Sequence, residues 1–298
     1  FVSINTSRMD ALKLDAESVV SDAREGVEAL HAALQARGWH TGWSNEVPDA
    51  KRLWQTELER LTQLESPEAE VLNQTRVLME LNELLREDNI VAASGSLPSD
   101  LERVWTARRP GAYHLEYGFS CMGYEVSGAL GVKLADPEHE VYTFVGDGGF
   151  LMGHSDLLTS IQEGHKINVL LFNNSGHQCI HNLERSQGMD TFGTEFRFRE
   201  QSTGGLTGSY VPVNYSELAS AYGAKTWRVT TLAELHAAIE ASKQADVSTL
   251  IEIMVLPGTM TEGYENFWRV GTAAVSEKES VRKAYKKLND VVKNLRKY

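Results

Sequence analysis

Gly146, Asp147 and Gly148, together with Asn174 in the pair Asn173 and Asn174, are the residues of this chain whose types and spacing most directly suggest chemistry. A carboxylate oxygen and an amide oxygen are hard ligands. Two such ligands, completed by substrate phosphates and water, are how proteins usually hold Mg²⁺. Glycines beside the aspartate let backbone N–H groups approach phosphate oxygens with no Cβ in the way. Gly176 follows two residues after Asn174 and could turn its carbonyl toward the same ion. The chemistry expected is a diphosphate held through a divalent cation.

The flanking segments explain how residues so far apart would meet. Residues 141–145 (VYTFV) and 167–172 (INVLLF) are short apolar runs of strand-forming residues, one ending at Gly146 and the other at Asn173. Between them, residues 155–164 carry Leu157, Leu158 and Ile161 at helical spacing. A strand–helix–strand crossover brings both strand ends to one edge of a parallel sheet. Ligands of open α/β sheets bind outside those carboxyl ends. The pattern matches the metal signature of thiamine-diphosphate enzymes.

The chain has 298 residues, 42% of them hydrophobic, enough for a large core and more than one domain. A net charge of −12 argues against a nucleic-acid or anionic-membrane partner. Two cysteines, Cys121 and Cys179, suggest no disulfide framework and fit a reducing cytoplasm. No apolar run approaches membrane-spanning length, and no signal peptide is evident. Phe1 to Asn5 reads as a strand entered midway without an initiator Met, so the expectation is a fragment of a longer protein.

Residues 1–45 read as the tail of a central α/β domain, with one strand and one amphipathic helix. That helix is predicted over 16–36 from Val19, Val20, Ala23, Val27, Leu30 and Leu34, and Gly38 ends it. Residues 46–70 read as a linker with a helix at 50–64. Residues 71–298 read as the domain that binds the diphosphate. Its pattern alternates: helix 71–87, strand 89–93, helix 124–134, the unit described above, helix 215–222, strand 224–229, helix 232–244, strand 249–255 and a polar helix at 276–297. Such alternation predicts a doubly wound parallel sheet of the α/β class, covered by helices on both faces. The glycine-rich stretch 174–213 follows the metal site directly. It is expected to be an active-site lid that orders on substrate binding.

Four segments together point further: 114–123 (HLEYGFSCMG), 194–197 (TEFR), 255–261 (VLPGTMT) and 263–268 (GYENFW). With the Gly-Asp-Gly site, they resemble the trihydroxycyclohexanedione hydrolases of myo-inositol breakdown. These are thiamine-diphosphate enzymes of the same superfamily as acetolactate synthase. The resemblance covers essentially the whole chain and corresponds to the C-terminal half of that family.

The resemblance implies thiamine diphosphate and Mg²⁺ as cofactors. Asp147, Asn174 and the Gly176 carbonyl would bind the metal. Gly146, Gly148, Gly149 and Ser96 would lie at the diphosphate, with His177 nearby. Met122 would sit beneath the bent cofactor, and the Ser120 carbonyl would accept a hydrogen bond from its aminopyrimidine. His114, Glu116 and His177 could meet a polyol substrate. His177 and Gln178 stand where relatives tend to carry smaller or aromatic residues. Neither cysteine is expected as a nucleophile, because the cofactor supplies one.

The implied reaction is hydrolytic cleavage of a ring C–C bond in a cyclic 1,2-dione, giving an open-chain deoxy-hexuronic acid. The superfamily also needs a glutamate from a pyrimidine-binding domain. This chain lacks that domain, so alone it should be inactive, and a missing N-terminal half or a second chain would complete the site. A homodimer or homotetramer is expected. Two other readings stay open: a carboligase or decarboxylase of the acetolactate synthase type, and a non-catalytic cofactor-binding half.

Overall fold

A computed structural model describes residues 1–13, 16–68, 70–258 and 270–293. The motif at 263–268 and the end of the one at 255–261 lie outside the described residues. The chain divides into two units. One comprises residues 1–56 with the end of the last helix from Asn289, and the other comprises residues 57–288. The division falls inside a helix, within the stretch 46–70 that the sequence reads as a linker.

In the first unit, β1 (Val2–Asn5) pairs in parallel with β2 (Glu17–Val20), with α1 (Arg8–Ala11) between them and α2 (Ala23–Ala36) after. The single helix predicted over 16–36 is therefore two elements. Val19 and Val20 belong to the strand. Asp22 caps α2, its side chain accepting from the N–H groups of Arg24 and Glu25. Helix α3 (Glu46–Leu61) starts earlier than predicted and takes Pro48 into its first turn, where a missing N–H costs nothing.

The second unit continues with α4 (Gln74–Leu84), β3 (Asn89–Ala92), α5 (Leu97–Val104), β4 (Tyr113–Leu115), α6 (Tyr124–Ala135), β5 (Val141–Gly146) and α7 (Asp147–Gly153). Then come α8 (Asp156–Gln162), β6 (Asn168–Asn173), α9 (Gln178–Ser186), α10 (Tyr215–Ala221), β7 (Lys225–Val229), α11 (Leu232–Lys243), β8 (Thr249–Met254) and α12 (Glu279–Lys293). The sheet order is β4-β3-β5-β6-β8-β7, and every pairing is parallel. The doubly wound parallel sheet is as expected.

Strands β3, β5 and β6 are apolar almost throughout because both faces are covered. One core holds Leu78, Leu81, Leu101, Phe144, Phe172, Ile239 and Ile253 under α4, α5 and α11. The other holds Val126, Val145, Phe150, Leu157, Val169, Leu171 and Tyr215 under α6, α8 and α10. From β3 the chain steps outward to β4 and then returns to the other side of β3 as β5. That reversal places a crevice outside the carboxyl ends of β3 and β5, where open α/β sheets bind ligands.

The predicted lid is more structured than a loop. It contains α9, and bridges join Gly176 to Glu195 and Arg197 to Tyr210. Glu195 anchors it. Its carboxylate accepts from Arg197 Nε at 3.0 Å and from Tyr210 Oη at 2.7 Å, while the Arg197 guanidinium lies 3.8 Å above the Tyr210 ring. This half-buried network ties the two bridged stretches together.

Candidate cofactor and metal site

Strand β5 ends at Gly146, and Asp147 opens α7 directly. Three glycines make α7 a poor helix by propensity. Close packing explains Gly153: a Cβ there would fall 2.4 Å from the Gly123 carbonyl oxygen at the start of α6. A Cβ on Gly146 would meet nothing within 4 Å, which leaves open room beside Asp147.

Asp147 is fully buried. Its Oδ1 accepts from the Gly148 N–H at 2.8 Å and its Oδ2 from the Gly176 N–H at 3.0 Å. Burial raises its pKa to about 7, against the opposing effect of those two donors. A cation beside the carboxylate would favour the ionised form.

Asn174, the second candidate ligand, follows the end of β6 directly. The site-facing end of the Asn174 amide lies 3.2 Å from Asp147 Oδ1 and 2.8 Å from the Gly176 carbonyl oxygen. With the amide nitrogen turned inward it donates to both oxygens. With the amide oxygen turned inward, three oxygens converge on one point with no proton between them. That second arrangement needs a cation and is the donor set of a hard divalent ion. Among the described residues no group of three His, Cys, Asp or Glu side chains could hold a metal. An ion here therefore completes its shell with ligand oxygens and water, as Mg²⁺ does with phosphates.

The turn after β6 is built for this geometry. Asn173 Nδ2 donates to the buried Glu252 on β8 at 2.8 Å, and Asn173 Oδ1 accepts from the Ser175 N–H at 3.2 Å. Ser175 has φ of 61°, a left-handed conformation that this bond supports. Gly176 has φ of 152°, and a Cβ there would meet the Thr194 carbonyl oxygen at 2.5 Å. Glu252 escaped the sequence reading, because its partners on other elements leave no local signal.

His177 lies over Gly148, where a Cβ would fall 2.3 Å from the His177 Nδ1. Its ring packs edge-on to Phe196, and its Nδ1 is buried with no hydrogen-bond partner. Burial holds its pKa below the ordinary value, so the ring is neutral at pH 7. The structure thus groups Asp147, Gly148, Asn174, Gly176 and His177.

Ser96 sits at the carboxyl end of β3, where its hydroxyl accepts from Gln74 Nε2 at 3.1 Å. Beneath Gly149 lie Ser94 Oγ and Glu125 Oε1, at 3.5 and 3.6 Å from where a Cβ would stand. Met122 is half-buried in the turn before α6, two residues after Ser120, whose φ is 53°. Cys121 is exposed, and Cys179 is half-buried, with burial and then the Asp100 charge pushing its thiol pKa up. That environment does not activate Cys179 as a nucleophile.

The substrate-side expectations fare differently from one another. Strand β3 separates β4, which carries His114, from β5. His114 pairs with Val91, and its neighbours Tyr113 and Leu115 pack into the core on the other face. The Glu116 carboxylate accepts from the Phe119 and Cys121 N–H groups, each at 3.0 Å, and those bonds hold its pKa low. It organises the turn that carries Ser120 and Met122.

Comparison with known proteins agrees with this geometry. The profile of the family described as "Thiamine pyrophosphate enzyme, C-terminal TPP binding domain" matches residues 93–253. A 3D-(3,5/4)-trihydroxycyclohexane-1,2-dione hydrolase 2 of Bacillus cereus is 49% identical over 96% of this chain and 48% of its own length. The 3D-(3,5/4)-trihydroxycyclohexane-1,2-dione hydrolase of Clostridium tetani is 48% identical over 100% of this chain and 50% of its own. The chain thus spans about half the length of the curated relatives it matches. Among solved structures, a thiamine diphosphate-dependent 4-hydroxybenzoylformate decarboxylase of Rhodococcus jostii RHA1 shares the fold. Its TM-score is 0.55 at 19% identity, over 65% of this chain and 34% of that one. With its glycine-flanked Asp147, its Asn174 and a matched region running from just after β3 into β8, the chain belongs to the thiamine pyrophosphate enzymes and carries their C-terminal TPP binding domain.

Proposed function

We propose that the protein containing this chain hydrolyses a ring C–C bond in trihydroxycyclohexane-1,2-dione, using thiamine diphosphate and Mg²⁺, as a step of inositol catabolism. The observation that carries the substrate assignment is the 49% identity, over 96% of the chain, to a hydrolase named for that dione. The net reaction adds water across a ring C–C bond and opens the ring to a deoxy-hexuronic acid. It is a hydrolase acting on carbon–carbon bonds.

When bound, thiamine diphosphate supplies the nucleophile and the electron sink that no side chain here provides. Asp147, Asn174 and the Gly176 carbonyl would hold Mg²⁺. The α7 amino end, with Gly148 and Gly149, would receive the diphosphate. Ser96 would reach it from β3, and Met122 and Ser120 would line the cofactor side of the α6 turn. A cation beside Asp147 would favour its ionised form, and the diphosphate oxygens would complete that cation's shell. His177, neutral and one residue from Gly176, borders the site and could donate or accept a hydrogen bond.

The chain spans half of its relatives, so the working enzyme is proposed to include a further region that completes the site, in a homodimer or homotetramer. The free thiols and the lack, among the described residues, of any helix able to cross a membrane support a cytoplasmic setting. The test is an assay of the full-length gene product with the dione and with pyruvate. Ring opening without pyruvate turnover supports the proposal. Pyruvate turnover with an inert dione contradicts it in favour of a carboligase or decarboxylase.

A further inference from the structure

Glu125 is fully buried in the first turn of α6, and neither the metal set nor the diphosphate set uses it. Its Oε1 accepts from the Ser94 N–H at 3.1 Å and from the Ser94 hydroxyl. Its Oε2 accepts from the Gly123 N–H at 2.9 Å. Its backbone carbonyl accepts from Thr143 Oγ1 on β5 at 2.9 Å. One residue therefore joins the end of β3, the start of α6 and the strand that leads to Asp147.

Local geometry shows why a carboxylate stands here. Gly123 is the residue before α6, with φ of 93°. A side chain at that position would press on Gly153, its Cβ 3.2 Å from the Gly153 nitrogen. The usual Ser, Thr or Asp cap is thus excluded. Glu125 reaches back to the N–H of Gly123 instead, as the glutamate of a capping box does. A negative charge in the first turn also suits the helix dipole. The same carboxylate then ties down Ser94, two residues before Ser96. It lies directly under Gly149, where a Cβ would come within 3.6 Å of its Oε1.

We propose that Glu125 is the positioning residue that fixes the Met122 turn against the loop after β3, and so sets the fit of the thiazolium end of the cofactor more than that of the diphosphate end. The inference rests on reading the site as one for thiamine diphosphate. The diphosphate end is anchored by Asp147, Asn174 and Gly176, whose hydrogen bonds do not pass through Glu125. The thiazolium end depends on where Met122 lies, and Glu125 holds the next residue, Gly123.

The test uses Glu125→Gln in the full-length protein, with calorimetric titration of thiamine diphosphate and, separately, inorganic diphosphate, both with Mg²⁺. A glutamine retains the size but turns an N–H₂ group toward a donor. The loss of a charge-assisted bond should weaken thiamine diphosphate binding about tenfold. Inorganic diphosphate binding should weaken less, by about threefold at most, because Asp147, Asn174 and Gly176 make no bond to Glu125 and only Ser96 and Gly149 stand near it. Hydrogen exchange at residues 94–96 and 120–123 should rise in the cofactor-free variant.

A purely structural role predicts that both affinities fall together. That result, or unchanged affinities in a folded variant, overturns the inference. If Glu125→Gln does not fold, Ser94→Ala removes one of the same bonds. It should shift the ratio of affinities in the same direction by about threefold, at the lower end of a hydrogen bond's worth; an unchanged ratio overturns the inference. Wild-type protein that binds inorganic diphosphate but not thiamine diphosphate overturns the cofactor reading itself.

Discussion

Asp147 Oδ1 and the site-facing end of the Asn174 amide stand 3.2 Å apart, each at the end of its own buried strand. The register of β5 against β6 makes this contact, pairing Gly146 with Phe172 at the sheet's edge. The sheet thus sets the approach of Asp147 to Asn174, and the Gly176 carbonyl joins them from the turn after β6.

His177 and Gly148 form a matched pair. Gly148→Ala would drive a methyl to 2.3 Å from His177 Nδ1, so the ring must move. We expect a loss of about 1–3 kcal/mol in stability by denaturant titration, the usual cost of overpacking. Adding His177→Ala should recover part of it, with a coupling of at least about 1 kcal/mol. Additive effects would mean that the two do not compete for the same space.

Gly176 has no substitute among L-residues. Gly176→Ala would place Cβ 2.5 Å from a backbone oxygen at φ of 152°. We expect a cost of about 3 kcal/mol, because backbone rather than a flexible side chain must yield. Urea denaturation reads this, and metal-dependent cofactor binding should weaken with it.

Glu195 makes part of the stability pH-dependent. Burial would raise its pKa, but hydrogen bonds from Arg197 and Tyr210 outweigh that and hold it at about 2, below its ordinary 4.5. The folded carboxyl is thus depressed, so its contribution is present above pH 4.5 and lost as pH falls toward 2. The size is roughly 2–3 kcal/mol. Arg197→Ala should flatten the acid limb of a plot of stability against pH. A limb of unchanged slope would show that the pair contributes nothing.

Much of the site was legible because its strands are buried on both faces. Residues 141–145 and 167–172 read as strands without ambiguity, and punctuation at Gly146 and Asn173 marked their ends. Elsewhere period and burial diverged. Val19 and Val20 recur at helical spacing with Ala23 and Val27, yet they form β2. Helix α9 was hidden in the expected lid because its sequence is mostly polar, and Ile180 and Leu183 are 45% and 41% exposed. Helix α7 contradicts propensity, because Gly148 answers a contact with His177 and Gly153 one with Gly123, which no local pattern reveals. Glu125 and Glu252 look like surface charges in the sequence. Their burial depends on partners from other elements.

The most direct test of the central claim is calorimetric titration of the full-length protein with thiamine diphosphate, with and without Mg²⁺, beside Asp147→Ala. The account predicts Mg²⁺-dependent binding in the wild type. In a folded variant, loss of a metal ligand should weaken it by at least about 100-fold. Binding that ignores Mg²⁺, or that survives in Asp147→Ala, would contradict the assignment of Asp147, Asn174 and Gly176 as the metal site.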